Sequence, residues 1–153
     1  MSPPRRYWLM KTEPDTFSID ALKTRKTEPW SGVRNYQARN HMRAMRKGDL
    51  VFFYHSSCEV PGVVGVAEVS TEAHPDPTQF DPKSDYFDAG SKREEPRWSL
   101  VDVKFKRKLK RTITLTELKA HKQLKDFVLL RPGNRLSVLP VSKAEWDFIL
   151  ALE

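Results

Sequence analysis

The densest chemistry in the chain lies in eleven residues, Trp30-Ser31-Gly32-Val33-Arg34-Asn35-Tyr36-Gln37-Ala38-Arg39-Asn40. Two aromatic rings, two guanidiniums and three side-chain amides are gathered there. Aromatic faces stack on nucleobases, with roughly 1–3 kcal/mol lost per base on truncation. Guanidiniums hold phosphates, and side-chain amides offer paired donors and acceptors to base edges. The same residues would also suit the start of a helix with a solvated polar face and Trp30 in the core, so composition leaves both readings open. A second cluster, Phe53-Tyr54-His55-Ser56-Ser57-Cys58, closes an apolar run. His55 and Cys58 are the residue types of thiol nucleophilic catalysis. Their spacing at a strand end does not favour contact, however, and no third group is placed to orient them.

Other chemistries have less support. His41, His55, His74 and His121 are scattered without metal-ligand spacing, and no glycine-rich phosphate loop is present, so neither a metal nor a nucleotide cofactor is expected. The run Lys104, Lys106, Arg107, Lys108, Lys110 and Arg111, interleaved with Phe105 and Leu109, could track a nucleic-acid backbone or protect a strand edge by charge. Arg131, Arg135 and Ser137, around Gly133, are ambiguous on chemistry alone.

The elements that position these residues can be read from periodicity and caps. Tyr7 to Lys11 is strand-like and stops at Thr12-Glu13-Pro14, since proline cannot donate to a ladder. Ser18 is placed to cap a short helix ending near Arg25, with Phe17 and Leu22 as its staple. Tyr36 to Met45 is helix-compatible. Leu50–His55 and Val63–Val69 are β-rich runs expected to pair as a hairpin with a long loop. Residues 74–96, with four prolines, read as an extended loop of the kind that is often functional. Trp98 to Lys106 alternates as a strand, Thr114 and Glu117 form an expected capping box for a helix through His121, and Pro132-Gly133-Asn134 turns into a short strand over Leu136–Leu139. Ser142 with Glu145, and Val141 with Trp146, predict a boxed and stapled C-terminal helix. Short strands between Gly/Pro turns favour a barrel with helices at its ends.

The 153 residues are the size of one domain, and 39% apolar against 31% charged residues is a globular balance. No apolar run approaches the roughly 20 residues that span a bilayer. Met1 to Arg6 leads into the first strand without an apolar leader segment, so no secretory signal is expected. A single cysteine, Cys58, excludes an internal disulfide and fits a reducing, cytoplasmic setting. Twenty-seven basic against twenty acidic residues, a net charge of +7, favour a phosphate-bearing partner.

Several stretches resemble the EVE domain family: Tyr7-Trp8-Leu9-Met10-Lys11-Thr12-Glu13-Pro14, the Trp30–Asn40 segment, Lys47-Gly48-Asp49 with Phe53-Tyr54-His55-Ser56, and Arg135-Leu136-Ser137-Val138 with Pro140-Val141. Asp76-Pro77-Thr78 and Pro96-Arg97-Trp98 match its middle region, and the resemblance, to single-domain bacterial members, runs in order from Tyr7 to Leu152. It implies one α+β domain over residues 1–153, a PUA-like small bent β-barrel with flanking short helices, related to YTH and ASCH domains. It implies a monomeric binding module, without cofactor, that reads a modified nucleobase flipped into an aromatic and polar pocket, modified cytosine in DNA first and RNA second. Carried over, the pocket residues are Lys11, Thr12, Glu13, Trp30, Ser31, Asn35, Tyr36, Tyr54, His55 and Ser56. Thr12 stands where many relatives have serine, and both keep a hydroxyl. In the expected roles Trp30 stacks, Glu13 or Ser31 reads the exocyclic amine, and His55 supplies a ring nitrogen. Arg34, Arg39, Lys104, Lys106, Arg107 and Lys108 would hold the backbone. Two alternatives stand beside this reading: an enzyme on a modified base with His55 and Glu13 as acid and base, and a protein whose basic face binds acidic protein surfaces.

Overall fold

The computed structural model describes residues 4–153. Its centre is one sheet of six strands: β1 (Tyr7–Thr12), β2 (Thr27–Pro29), β3 (Leu50–His55), β4 (Gly62–Val69), β7 (Asp102–Thr114) and β8 (Val138–Val141), in the order β2-β7-β4-β3-β1-β8. A separate two-stranded ladder joins β5 (His74–Pro75) to β6 (Ser99–Leu100). Every pairing in the large sheet is antiparallel except β1 with β3, which run parallel with Thr12 opposite His55. Four helices flank the sheet: α1 (Ile19–Arg25), α2 (Tyr36–Ala44), α3 (Leu115–Lys119) and α4 (Lys143–Ala151). The sheet curls into a half-barrel, an α+β PUA-like architecture. Among the described residues no helix is long and apolar enough to cross a membrane.

Both faces of the sheet are covered, and strand alternation divides the core accordingly. Trp8, Met10, Val51 and Phe53 join α1, α2 and Trp30 on one side. Leu9, Phe52, Tyr54 and Val66 join α3, α4 and Phe127 on the other, where Trp146 stacks on Phe52 at 3.7 Å between centroids. Asp49 is buried beneath the Trp8 indole, accepting from its Nε1 at 2.9 Å and from the Arg6 and Arg46 amides.

The expected caps form at Ser18, whose hydroxyl accepts from the Ala21 amide, and at Ser142 with Glu145 as a full capping box. The 50–69 hairpin is present with residues 56–61 as its loop. Three expectations are corrected. The strand expected to end at Lys106 continues to Thr114, bulging twice against β4, so the whole basic run belongs to β7. Thr114 does cap α3, but the Glu117 carboxylate binds Arg111 in two bonds of 2.7 and 2.8 Å instead of returning to the cap, and α3 stops at Lys119. Residues 74–96 are not structureless. They hold β5 and a 3₁₀ turn at Pro77–Phe80, and buried Gln79 bonds the Asp76 and Trp98 carbonyls, the Trp98 amide and the Ser91 hydroxyl.

Candidate functional site

Parallel pairing brings the ends of β1 and β3 to the same side of the sheet, and a cleft of about 810 Å³ opens there. The Ser56 amide donates to the Thr12 carbonyl at 2.9 Å, and the Lys11 amide to the Ser137 carbonyl at 2.8 Å, which ties three chain segments at its base. Lys11, Thr12 and Glu13 form one wall. The segment from Glu28 to Arg34 forms the opposite one, with Asn134, Arg135 and Ser137 to one side and Tyr86 at the rim. A smaller cavity of about 410 Å³ adjoins it, sharing Lys11, Ser56, Ser57 and Asn134.

The Trp30 indole is held edge-on to Phe53 at 5.6 Å and to Phe17 at 6.3 Å, with 7% of the residue exposed. Its amide donates to the Val101 carbonyl at 2.9 Å, so the ring is fixed from both ends. Beyond it the chain turns at Gly32, φ +89°, a left-handed conformation that favours glycine. Asp76, fully buried, clamps this turn. Its carboxylate accepts from the Gly32 amide at 2.8 Å, Arg34 at 3.1 Å, the Thr78 amide at 2.8 Å and the Thr78 hydroxyl at 2.6 Å. Burial pushes the Asp76 carboxyl up, but these hydrogen bonds outweigh it and hold the group below the ordinary carboxylate value. Arg34 also donates twice to the Tyr86 carbonyl, at 3.1 and 2.8 Å.

A Cβ on Gly32 would lie 2.7 Å from two Tyr86 ring carbons, in a backbone conformation that already penalises a side chain. Gly32→Ala is therefore expected to lower stability by about 1–3 kcal/mol and to displace Tyr86 from the rim. Urea unfolding with tyrosine fluorescence checks both effects.

Of the residues expected to form the pocket, Lys11, Thr12, Glu13, Trp30, Ser31 and Ser56 line the cleft together. Tyr54 lines the smaller cavity instead. Three others border neither space. The Asn35 side chain caps α2, accepting from the Ala38 amide at 2.9 Å. Tyr36 stacks on Trp98 at 4.9 Å, on the outer face of the same segment. His55 Nε2 accepts from the Ile19 amide at 3.1 Å, at the start of α1, and burial lowers the imidazole pKa. That nitrogen is therefore occupied as an acceptor and does not meet Glu13 across the cleft, so no acid–base pair is assembled from them there.

The expected backbone contacts divide in the same way. Arg34 lines the cleft but is committed to Asp76 and Tyr86. Lys104 and Lys106 pair with Glu68, Arg107 with Glu153, and Lys108 with Asp20 at 2.8 Å. The β7 run is thus largely neutralised by carboxylates from other elements. Arg39 lies 4.8 Å from the Tyr36 ring and donates to the Arg97 carbonyl, and Arg43 donates to Ser99 Oγ. The ion pairs among the described residues include neither of these two.

Sequence reasoning missed Asp76 and Tyr86 as parts of the site and left Arg135 and Ser137, which line the cleft, ambiguous. Asp76-Pro77-Thr78 did carry a signal, since Asp before Pro is placed to cap a turn. Nothing local marks that its carboxylate reaches back 44 residues to Gly32. Among the described residues no three His, Cys, Asp or Glu side chains gather where they could hold a metal ion.

Comparison with known proteins agrees with this geometry. The family model for the EVE domain matches residues 6–152. Human thymocyte nuclear protein 1 is 45% identical over 166 aligned positions, covering 96% of this chain and 73% of its own length. A Pseudomonas syringae protein of known structure is 49% identical with a TM-score of 0.93, covering 95% of this chain and 98% of its own. The crystal structure of human THYN1 protein in complex with DNA containing 5-methylcytosine is 46% identical with a TM-score of 0.92, covering 96% of each chain. A cleft at the ends of two parallel strands, a curled sheet covered on both faces and a family match over nearly the whole length converge on one assignment: this chain belongs to the EVE domain family.

Proposed function

We propose that this chain is a nucleic-acid-binding module, not an enzyme, that reads a modified base, 5-methylcytosine in DNA in the first place and a modified base in RNA as the second ligand class. The observation that carries the reading is the cleft wall. It sets a fixed indole beside a carboxylate, hydroxyls and cations on the same backbone that human THYN1 protein shares in its complex with 5-methylcytosine DNA. Cytosine presents an amine donor and ring acceptors. Glu13 accepts from the amine, Lys11, Ser31 and Arg135 donate to the acceptors, and Phe17 and Val33 offer apolar contact to a 5-methyl group. Trp30 supplies the stacking surface. His55 acts at a distance, by holding α1 against the strand end.

The cations that meet the backbone in this reading are those of α2. Tyr36, Arg39 and Arg43 recur at helical spacing on one face, Tyr36 is 54% exposed, and among the described residues the two guanidiniums pair with no carboxylate. Lys104, Lys106 and Lys108 of β7 would have to break ion pairs first.

Fluorescence titration of oligonucleotides with cytosine, 5-methylcytosine or 5-hydroxymethylcytosine, in DNA and RNA, tests the reading. A preference for a modified base is expected. Removing Arg39 and Arg43 together is expected to weaken binding to all sequences alike and to reduce the salt slope by about 1–2. Binding with a steep salt dependence and no base preference, or none at all, overturns it.

A further inference from the structure

The smaller cavity beside the cleft has a lining that, Lys11 apart, the base contacts proposed above do not use. Lys11 from β1, Tyr54 from β3, Lys119 at the end of α3 and Arg131 before the Pro132–Asn134 turn all border it, and no carboxylate does. Along β7, by contrast, cations are matched with acids from other elements. Lys11, Lys119 and Arg131 enter no ion pair among the described residues. Tyr54 is almost wholly buried, 3% exposed, and its side chain borders this cavity. Burial pushes that phenol up to about 12, so at neutral pH it is an O–H donor and never a phenolate. Three cations, one donor and no acid define an anion site.

We propose that this cavity seats the phosphate of the nucleotide whose base occupies the neighbouring cleft, with Lys11 on the wall the two spaces share. The inference rests on the base-reading function proposed above and adds to it a second anchor point, one that distinguishes a nucleotide from a free base or nucleoside. Tyr54 and the three cations come from four different elements, so the cavity exists only when α3 and the Arg131–Asn134 segment are folded against the sheet. Its volume of about 410 Å³ has room for a phosphate together with bound water.

The test uses the full chain, labelled for amide NMR, titrated separately with inorganic phosphate, with sodium chloride at equal ionic strength, with 5-methyl-2′-deoxycytidine, and with its 5′- and 3′-monophosphates. Phosphate is expected to shift the Ser57, Lys119 and Gly133 amides saturably, and chloride is not. One of the monophosphates is expected to bind about tenfold or more tightly than the nucleoside. The double variant Lys119→Ala, Arg131→Ala is expected to erase that gain while leaving nucleoside binding unchanged, and Tyr54→Phe, which removes one donor without a charge, to reduce it severalfold. Equal affinity for nucleoside and both monophosphates, or a gain that survives the double variant, overturns the proposal. Shifts with free phosphate but no gain for either nucleotide also overturn it, because the site then takes a separate anion. Failure of the nucleoside to perturb the Trp30 indole is the distinct outcome that defeats base reading itself.

Discussion

Replacing Asp76 with alanine is expected to lower the unfolding free energy by about 3–5 kcal/mol, the cost of leaving buried charged and polar partners uncompensated. The carboxylate is fully buried, and both of its oxygens are used: Oδ1 by the Thr78 amide and hydroxyl, Oδ2 by the Gly32 amide and Arg34. Removing it strands a guanidinium that is itself only 22% exposed and two backbone donors. Asp76→Asn keeps the shape but turns an amide NH2, itself a donor, toward donors at whichever oxygen it replaces, so it is expected to recover only part of the loss. Because the folded-state carboxyl lies below its ordinary value, the unfolded chain takes up the proton first as pH falls. The Asp76 contribution is therefore complete above about pH 4, and is lost as pH drops from there through the folded value. The asparagine variant should lack that part of the acid slope. Urea unfolding of the three proteins at neutral pH and between pH 4 and 2 measures both effects. Equal stability of wild type and Asp76→Ala would mean that the clamp between residues 30–34 and 76–98 contributes nothing.

Trp30→Ala carries the second large effect, because the indole serves the core and the cleft at once. Its ring packs edge-on against Phe53 and Phe17, and truncating a buried tryptophan costs about 3–5 kcal/mol. The same change removes the stacking surface, which is expected to weaken binding of a modified-cytosine oligonucleotide by about one to two orders of magnitude. Trp30→Phe separates the two roles. Phenylalanine retains most of the packing and some stacking area, so it should fold with a smaller loss and bind with an intermediate affinity. Thermal unfolding and titration of the same samples decide the matter. A well-folded phenylalanine variant with unchanged affinity, alongside an alanine variant that fails only by unfolding, would assign Trp30 to the core alone.

The parts of the fold that were legible in the sequence are those set by neighbours in the chain. Trp8-Leu9-Met10 and Val51-Phe52-Phe53-Tyr54 announce strands buried on both faces, and their alternate side chains do divide between the two cores. Ser18 and the Ser142–Glu145 box mark helix starts because a cap and its amide are three residues apart. Thr114–Glu117 has the same local pattern, yet Glu117 chose Arg111, since a bidentate guanidinium competes with a single amide for one carboxylate. His55 and the β7 lysines show the same limit from the site's side. Their residue types promised chemistry, and contacts with Ile19, Glu68, Asp20 and Glu153 on other elements absorbed it.

The cleft itself was legible only in part. The order of residues determined that Lys11–Glu13, Trp30–Arg34 and Ser56 end or follow strands and turns, that the chain is basic, and which family it resembles. Only the tertiary structure decided that these segments meet, because the parallel pairing of β1 with β3 places two strand ends 43 residues apart side by side, with Thr12 opposite His55. It also decided that buried Asp76 clamps the Gly32 turn, that Tyr86, Arg135 and Ser137 line the cleft, and that, among the described residues, Lys104, Lys106, Arg107 and Lys108 of β7 are ion-paired while Arg39 and Arg43 of α2 and Lys11, Lys119 and Arg131 around Tyr54 are not. The physical reason is that burial and capping are written in local periodicity. The partner of a charge or a hydrogen-bonding group is whatever the folded chain brings within 3 or 4 Å of it, and that is a property of topology.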